Sequence, residues 1–335
     1  MSKRYEKFDI LRAFAILAVV LIHVTAPLAT DEDIFSIVLN QVSRFAVPVF
    51  FILSGWGLTA TNSWERSDGY WSFLKPRLWA VVPQYLLWNI IYLFYSDAWE
   101  TYPGFSFEAL WEILNEIFLG TIYNHLYFVP IIIMFYIVYP LILKVANKYG
   151  VLLSLGITIV SQVSDLWVWH EYFYMNKNIL NWLFYFIFGV WLAKNFREKI
   201  TRVEKYREPI FLVAIVSMIF VVLTPFFIGE MFDYNLALAS TRPTVIVYSI
   251  LLVFSVMGLQ TKLQFLRKTL LELSKYSFYI YLSHYVFVDI WRDFYGGLDA
   301  DWLSPVYILI ALIFITTASY GTGILMKKAE KAVGI

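Results

Sequence analysis

The sequence predicts an all-α polytopic integral membrane protein with about ten transmembrane helices and both termini in the cytoplasm. Three observations lead to this prediction. Hydrophobic residues make up 60% of the 335 residues and charged residues only 15%, whereas soluble domains average about 45–50% apolar and about 25% charged residues. The apolar residues gather into segments long enough to cross a bilayer. The basic residues alternate between the two predicted sides of the membrane.

A spanning helix needs about 20 mostly apolar residues, and ten segments of the chain approach this length. In chain order they are 8–29, 36–60, 78–95, 126–145, 150–169, 179–194, 210–228, 242–259, 271–294 and 303–325. The first segment contains Asp9, Arg12 and His23 and is longer than the roughly 7–15-residue uncharged core of a signal peptide. We therefore expect it to be retained as the first membrane helix.

The positions of Lys and Arg test the number of helices, because cytoplasmic loops collect basic residues. With both termini inside, 21 of the 26 basic residues fall in segments predicted to be cytoplasmic, and only Lys177, Arg242 and Arg292 fall outside. A wrong number of helices would scramble this alternation. We expect one transmembrane domain over residues 1–335, located in the inner (cytoplasmic) membrane and surrounded by the lipid bilayer.

Several classes of function are excluded or disfavoured by composition. The chain has no cysteine, which excludes disulfides, thiolate nucleophiles and Cys-ligated metal clusters. The net charge is +1, which gives no indication of nucleic-acid binding. The spacing of histidines and carboxylates does not indicate a metal site, and no metal is predicted.

The first predicted helix carries two polar residues that share a face. Arg12 and His23 are eleven residues apart, which brings them back to within about 20° of the same direction on a helix and separates them by roughly 16 Å along its axis. Arginine binds phosphate through its planar fork, and histidine is suited to general-base chemistry. A structural reading, with Arg12 at lipid phosphates and His23 hydrogen-bonded to another helix, accounts for either residue alone but less well for the pair.

Five short segments, in order along the chain, resemble the acyltransferase-3 family of membrane acyltransferases. They are Arg12–His23 with the R-x10-H spacing, 45–55 (FAVPVFFILSG), Lys75-Pro-Arg77, 125–129 (HLYFV) and 279–284 (YIYLSH). Each is a weak pattern alone, but together, and in order, they are distributed over most of the length of the chain. Many members carry a further arginine after the Lys75-Pro-Arg77 cluster, where this chain has Trp79 and Ala80.

The resemblance implies transfer of an acyl group, usually acetyl, from cytoplasmic acyl-CoA to a hydroxyl of an extracytoplasmic glycan or cell-envelope polysaccharide. It implies His23 as the catalytic general base, and Arg12, Lys75 and Arg77 as acyl-CoA-binding residues. Acetyl-CoA or another acyl-CoA is then the donor substrate, and a glycan synthase or export complex is a candidate partner. We expect no fused hydrolase-like domain.

Four further residues are candidates for the acceptor site or its pocket. Arg44, in the outer half of the second predicted helix, suits either an anionic or hydroxylated acceptor or simple anchoring at the interface. His125 heads a helix near the outer face. Tyr281 and His284 are three residues apart and share a helix face, which fits a packed hydrogen bond and a pocket role equally well.

The rival prediction is a transporter, an exporter or flippase of a polysaccharide or lipid-linked sugar. The face of the first helix that carries Arg12 and His23, here called the polar stripe, would then line a passage. Many transporters show inverted repeats with interrupted helices, and no such repeat is recognisable in this sequence.

Overall fold

The computed structural model describes residues 6–29, 33–95, 106–165, 175–194, 196–228, 237–258, 264–296 and 305–333. In these ranges the secondary structure is helical, in agreement with the predicted all-α class. The α-helices are α1 Glu6–Thr25, α2 Ile34–Val42, α3 Ala46–Ala60, α4 Tyr70–Tyr95, α5 Phe107–Leu119, α6 Phe128–Val145, α7 Lys148–Ser164, α8 Leu180–Ala193, α9 Phe196–Lys205, α10 Arg207–Ile228, α11 Pro243–Gly258, α12 Gln264–Gly296 and α13 Pro305–Val333.

Within the described ranges, six helical segments are long and apolar enough to cross a membrane. They are Glu6–Thr25, Ile34–Ala60, Tyr70–Tyr95, Phe128–Val145, Arg207–Phe227 and Pro305–Ala332. The apolar helices α7, α8 and α11 are shorter, and α12 contains the predicted ninth segment within a longer, more polar helix. The predicted ends at Trp169, Leu259 and Leu303 lie outside the described residues. The total of ten spans and the cytoplasmic location of the termini stay predictions.

Local capping explains where several helices begin. The carboxylate of Asp33 accepts a hydrogen bond from the Ser36 amide at 3.1 Å and starts α2, and Asn147 accepts from two amides of the first turn of α7. Such side chains satisfy amide groups that have no partner within the helix. Helix α5 begins at a Ser106 cap and ends at Gly120 with φ of 70°, a backbone conformation that glycine adopts without strain.

Two of the predicted segments are organised differently in the structure. The second predicted helix is divided into α2 and α3 by a short 3₁₀ segment, Ser43–Phe45, so Arg44 lies at the junction and not within a regular helix. Helix α4 begins at Tyr70, eight residues before the predicted start, with Lys75 and Arg77 inside it. Pro76 and Pro83 are accommodated within α4, because a proline removes one backbone hydrogen bond but leaves the flanking turns helical.

The chain forms two compact units. The first comprises Met1–Phe50 and Phe196–Ile335, and the second comprises Phe51–Asn195. In the first unit, α1 packs against α2, α12 and α13. Its side chains are buried on several faces, as Leu11, Ile16 and Val20 show. Helix α1 is therefore the central helix of the first unit.

The second unit contains a close helix crossing between α3 and α8. A methyl group added to Gly55 would overlap the backbone of Phe186, and one added to Gly189 would overlap the backbone of Ile52. Stacked rings of Phe135 and Phe186, with centroids 4.5 Å apart, fill the space beside the crossing. Small residues at such positions let helix backbones approach closely in membrane proteins, so Gly55 and Gly189 permit this crossing.

Candidate active site

The ring of His23 meets two aromatic side chains from α12. His23 lies in the last turn of α1. Its ring centroid is 5.1 Å from that of His284 and 4.7 Å from that of Tyr285. Because α1 and α12 run side by side, two residues that are 261 positions apart in the sequence share one site. The structure thus brings His23 and His284 together, which the sequence alone did not indicate.

The backbone of α12 fixes the orientation of His284. Nδ1 of this buried ring is 2.7 Å from the carbonyl oxygen of Tyr281 and 3.2 Å from that of Ile280. A carbonyl oxygen only accepts hydrogen bonds, so Nδ1 carries the proton and the neutral ring carries its lone pair on Nε2. The Tyr281 ring centroid is 6.0 Å from that of His284, so the predicted proximity of these two residues is present.

A cavity of about 390 Å³ opens beside His23. Its walls are the ends of α1, α12 and α13, and its lining residues include His23, Pro27, Trp291, Arg292 and Tyr307. The volume is within the usual range for small-molecule pockets, about 300–1,000 Å³. Arg292 donates a hydrogen bond to Asp289 at 2.7 Å. This cavity can hold a group of the size of one sugar ring against the imidazole of His23.

Arg44 is held close to His23 by an asparagine. Its guanidinium donates to the side-chain oxygen of Asn40. The amide of Asn40 in turn donates to the carbonyl oxygen of Ile22 at 3.1 Å and to the hydroxyl of Thr25 at 3.0 Å. Ile22 and Thr25 flank His23 in the last part of α1. Arg44 therefore belongs to the same end of α1 as His23.

Sequence reasoning missed Arg242. Its position at the start of the predicted segment 242–259 placed it with the basic residues of the outer side of the membrane, but only 1% of its surface is exposed. Its guanidinium donates to the carbonyl oxygen of Ala239 at 2.8 Å and to the side-chain oxygen of Gln41. The polar pair Asn40-Gln41 inside an otherwise apolar helix was the one signal in the sequence that this helix faces polar groups.

The opposite end of α1 carries Arg12 in an ionic cluster. Arg12 donates to Oδ1 of Asp9 at 3.3 Å, and Ser274 donates to the same oxygen at 3.2 Å. The Arg12 side chain keeps 35% of its surface exposed. One turn earlier, Glu6 accepts hydrogen bonds from Nε and Nη2 of Arg267. This end of the first unit therefore combines cationic side chains with partial exposure.

Lys75, Arg77 and His125 belong to the second unit. The guanidinium carbon of Arg77 lies 3.9 Å from the centre of the Phe73 ring, a cation–π geometry, while Lys75 is exposed. His125 is buried against Tyr92 and Tyr123, with ring centroids 5.1 and 5.9 Å away. Among the described residues of both units, no three His, Asp or Glu side chains are grouped to hold a metal ion.

The sequence profile described as an acyltransferase domain, acyltransferase-3, matches residues 5–324. The chain belongs to the acyltransferase-3 family. The match extends from the start of α1 to within α13, so it includes both ends of the polar stripe on α1 and the histidine of α12. The family assignment made from the five short segments is thereby confirmed.

Curated relatives of this acyltransferase-3 protein cover nearly its full length at low identity. A Staphylococcus aureus (strain MRSA252) protein, named a probable poly-beta-1,6-N-acetyl-D-glucosamine export protein, is 22% identical over 98% of this chain and 94% of its own. A Staphylococcus epidermidis protein of the same name is 23% identical over 98% and 93%. A Bacillus subtilis (strain 168) protein, named "Putative membrane-bound acyltransferase YfiQ", is 25% identical over 85% of this chain and 81% of its own. No solved structure shows significant similarity to this chain.

Proposed function

We propose that this acyltransferase-3 protein transfers an acyl group from cytoplasmic acyl-CoA to a hydroxyl of an extracytoplasmic glycan, with acetyl as the group that the family resemblance favours. The observation that carries the proposal is His23, which lines a cavity at one end of α1 and contacts His284 and Tyr285. Arg12 lies at the other end of the same helix. With the amino terminus inside, as the basic residues predict, Arg12 faces the donor side and His23 the acceptor side.

In the proposed reaction, His23 removes the proton from an acceptor hydroxyl held in the cavity. The acceptor oxygen attacks the thioester carbonyl carbon, a C–O ester bond forms and the C–S bond breaks. The CoA thiolate leaves and takes up the proton from His23. An alternative route passes through transient acylation of a side chain. It would form a covalent acyl-protein, which rapid quenching and intact-mass measurement would detect.

His284 is a positioning residue in this mechanism. Its Nδ1 is held by backbone carbonyls, so its ring cannot rotate without losing a buried hydrogen bond. A fixed imidazole 5.1 Å from His23 restricts the orientations of the base. Orientation of this kind is a large part of catalytic efficiency in acyl transfer.

Arg12 is proposed to bind a phosphate of acyl-CoA. Its partly exposed guanidinium can donate to a phosphate while one nitrogen stays on Asp9. Lys75 and Arg77 of the second unit are proposed, from the family resemblance, to contribute further cationic contacts to the donor.

Export of a polysaccharide is the second candidate, favoured by the names of the staphylococcal relatives. The two functions differ in what depends on His23. An exporter needs a passage, and a neutral side chain at position 23 leaves a passage open. An acyltransferase needs a base, and removal of the imidazole abolishes the chemistry.

The test is His23→Ala, with Val24→Ala as the matched control in the wall of the same cavity. Cells expressing each variant are compared with wild type by mass spectrometry of alkali-labile acyl esters on the cell-envelope glycans, alongside the quantity of exported glycan. We expect His23→Ala to lose the ester while glycan is still exported, because general-base catalysis contributes about 10²–10⁴-fold to such reactions.

The control Val24→Ala is expected to keep the ester. Normal esterification in His23→Ala would refute the mechanism. Normal esterification together with normal glycan export in His23→Ala would favour the exporter, because a passage needs no base at position 23.

A further inference from the structure

The cation at the start of α11, Arg242, is buried and has no anionic partner among the residues that the structure describes. Arg242 is 1% exposed, and its hydrogen bonds in the described part of the chain go to two neutral oxygens, those of Ala239 and Gln41. A buried charge is costly unless it is paired and hydrogen-bonded. A guanidinium retains its charge even when buried, so this one calls for an anion.

A second cation, Arg44, lies at the other end of a chain of hydrogen bonds that begins at Arg242 and passes through Gln41 and Asn40. The Gln41 amide donates to the side-chain oxygen of Asn40 at 3.2 Å, and that oxygen also accepts from Arg44. Asn40 and Gln41 are both fully buried and present their oxygens to the two guanidiniums. The two guanidiniums are thus joined through the neutral amides of Gln41 and Asn40.

Further buried donors lie beside Arg242. Nη1 of Arg242 and the hydroxyl oxygens of Thr241 and Thr244 are buried and have no hydrogen-bond partner among the described residues. Native proteins satisfy nearly all such groups. A guanidinium nitrogen only donates, so a ligand that meets these three groups must offer oxygen acceptors and cannot be a cation.

We propose that Arg44 and Arg242 form a subsite for an oxoanion, a carboxylate or a phosphate, next to the reacting end of His23. The planar fork of arginine matches both anions. This inference rests on the proposed function. It assigns an acidic group close to the reaction centre to one of the two substrates, the acyl donor or the glycan acceptor. That group belongs either to the acceptor, as a uronate or a sugar phosphate, or to the acyl chain of the donor, as a second carboxylate.

Binding is tested first, independently of catalysis. The probes are inorganic phosphate and glucuronate, added to the full-length protein in detergent at constant ionic strength, with chloride as reference and thermal unfolding as readout. We expect both probes to raise the unfolding temperature of wild type and of His23→Ala, since the imidazole is not part of the subsite. Arg242→Gln removes the charge, and Gln41→Glu supplies an internal carboxylate to Arg242. Both variants are expected to lose the shift.

Arg202→Gln is the control, since Arg202 is an exposed residue of α9 paired with Glu198 at 2.6 Å and is expected to retain the shift. Loss of the shift in Arg242→Gln could result from misfolding alone. Gln41→Glu is the safeguard, because its carboxylate beside Arg242 is expected to preserve folding while blocking the subsite. No shift in wild type beyond that of chloride, or an unchanged shift in both Arg242→Gln and Gln41→Glu, would overturn the inference.

The source of the anion is identified by kinetics with two substrate pairs. In the acceptor pair, a neutral acceptor and a uronate- or phosphate-bearing acceptor are each assayed with acetyl-CoA. In the donor pair, acetyl-CoA and a dicarboxylic acyl-CoA are each assayed with the neutral acceptor. In Arg242→Gln we expect kcat/KM to fall for the anionic member of one pair only. The expected fall is about 30-fold or more, the usual consequence of breaking a buried charge contact. A fall in the acceptor pair assigns the anion to the glycan, and a fall in the donor pair assigns it to the acyl group.

An equal fall for all four substrates would overturn the subsite. Anion binding without any acyl transfer in wild type would refute the proposed function and leave the subsite standing.

Discussion

Replacing Asn40 by alanine should disconnect α2 from α1 and release Arg44. The side chain of Asn40 is fully buried and takes part in four hydrogen bonds. It donates to the Ile22 carbonyl and the Thr25 hydroxyl, and it accepts from Gln41 and Arg44. Alanine would leave these four groups without their partner in the interior of the first unit.

The magnitude follows from the kind of bond lost. Hydrogen bonds between membrane helices average roughly 0.6 kcal/mol and reach about 1.7 kcal/mol, and those to charged groups contribute about 1.5–3 kcal/mol. Three neutral bonds at the average value and one to a guanidinium therefore give an expected loss of about 3–5 kcal/mol in the free energy of unfolding. Asn89→Ala is the matched control, because Asn89 is equally buried and donates one hydrogen bond, to the carbonyl oxygen of Tyr85 at 2.8 Å. Its loss is expected to stay below about 1 kcal/mol.

The measurement is equilibrium unfolding of each purified variant in mixed micelles with increasing SDS, followed by the fluorescence of the 13 tryptophans. Asn40→Ala should unfold at distinctly lower SDS than Asn89→Ala. Equal destabilisation by the two substitutions would refute the reasoning, because the hydrogen-bond network would then contribute nothing beyond the burial of an amide.

Two further predictions concern the helix crossing of the second unit and the donor end of α1. A Cβ on Gly189 would lie 2.9 Å from the carbonyl carbon of Ile52, whereas one on Gly57 meets nothing within 4 Å. Gly189→Ala should therefore lower stability by about 1–3 kcal/mol in the same SDS assay and Gly57→Ala should not, and equal stabilities would show that the crossing tolerates a wider separation. Arg12→Ala should raise the KM for acyl-CoA about tenfold or more, since a charge-assisted hydrogen bond to phosphate contributes about 1.5–3 kcal/mol, with kcat nearly unchanged. Steady-state kinetics with Arg202→Ala as control measure this, and an unchanged KM would contradict the phosphate-binding role.

Much of this protein could be predicted without coordinates. Helical secondary structure, apolar segments and the placement of Arg12 and His23 at opposite ends of one helix depend on composition and on the helical repeat, which are local properties. The boundaries at Arg44 and Tyr70 could not be predicted as reliably. A 3₁₀ junction and a proline-containing helix are chosen by packing against neighbouring helices, and a local pattern does not contain that information.

By itself the sequence determined the class of protein, its family and the two ends of the polar stripe on α1. Tertiary structure decided which distant residues join that stripe. His284 meets His23 only because α12 lies along α1, and Arg242 meets the Asn40-Gln41 pair only because α11 begins beside α2. Hydropathy places an arginine at the start of a membrane segment near the membrane surface, whereas its burial depends on which helix faces meet. The physical reason is that transmembrane helices form independently of one another, while the contacts between them are set by the packing of the whole bundle.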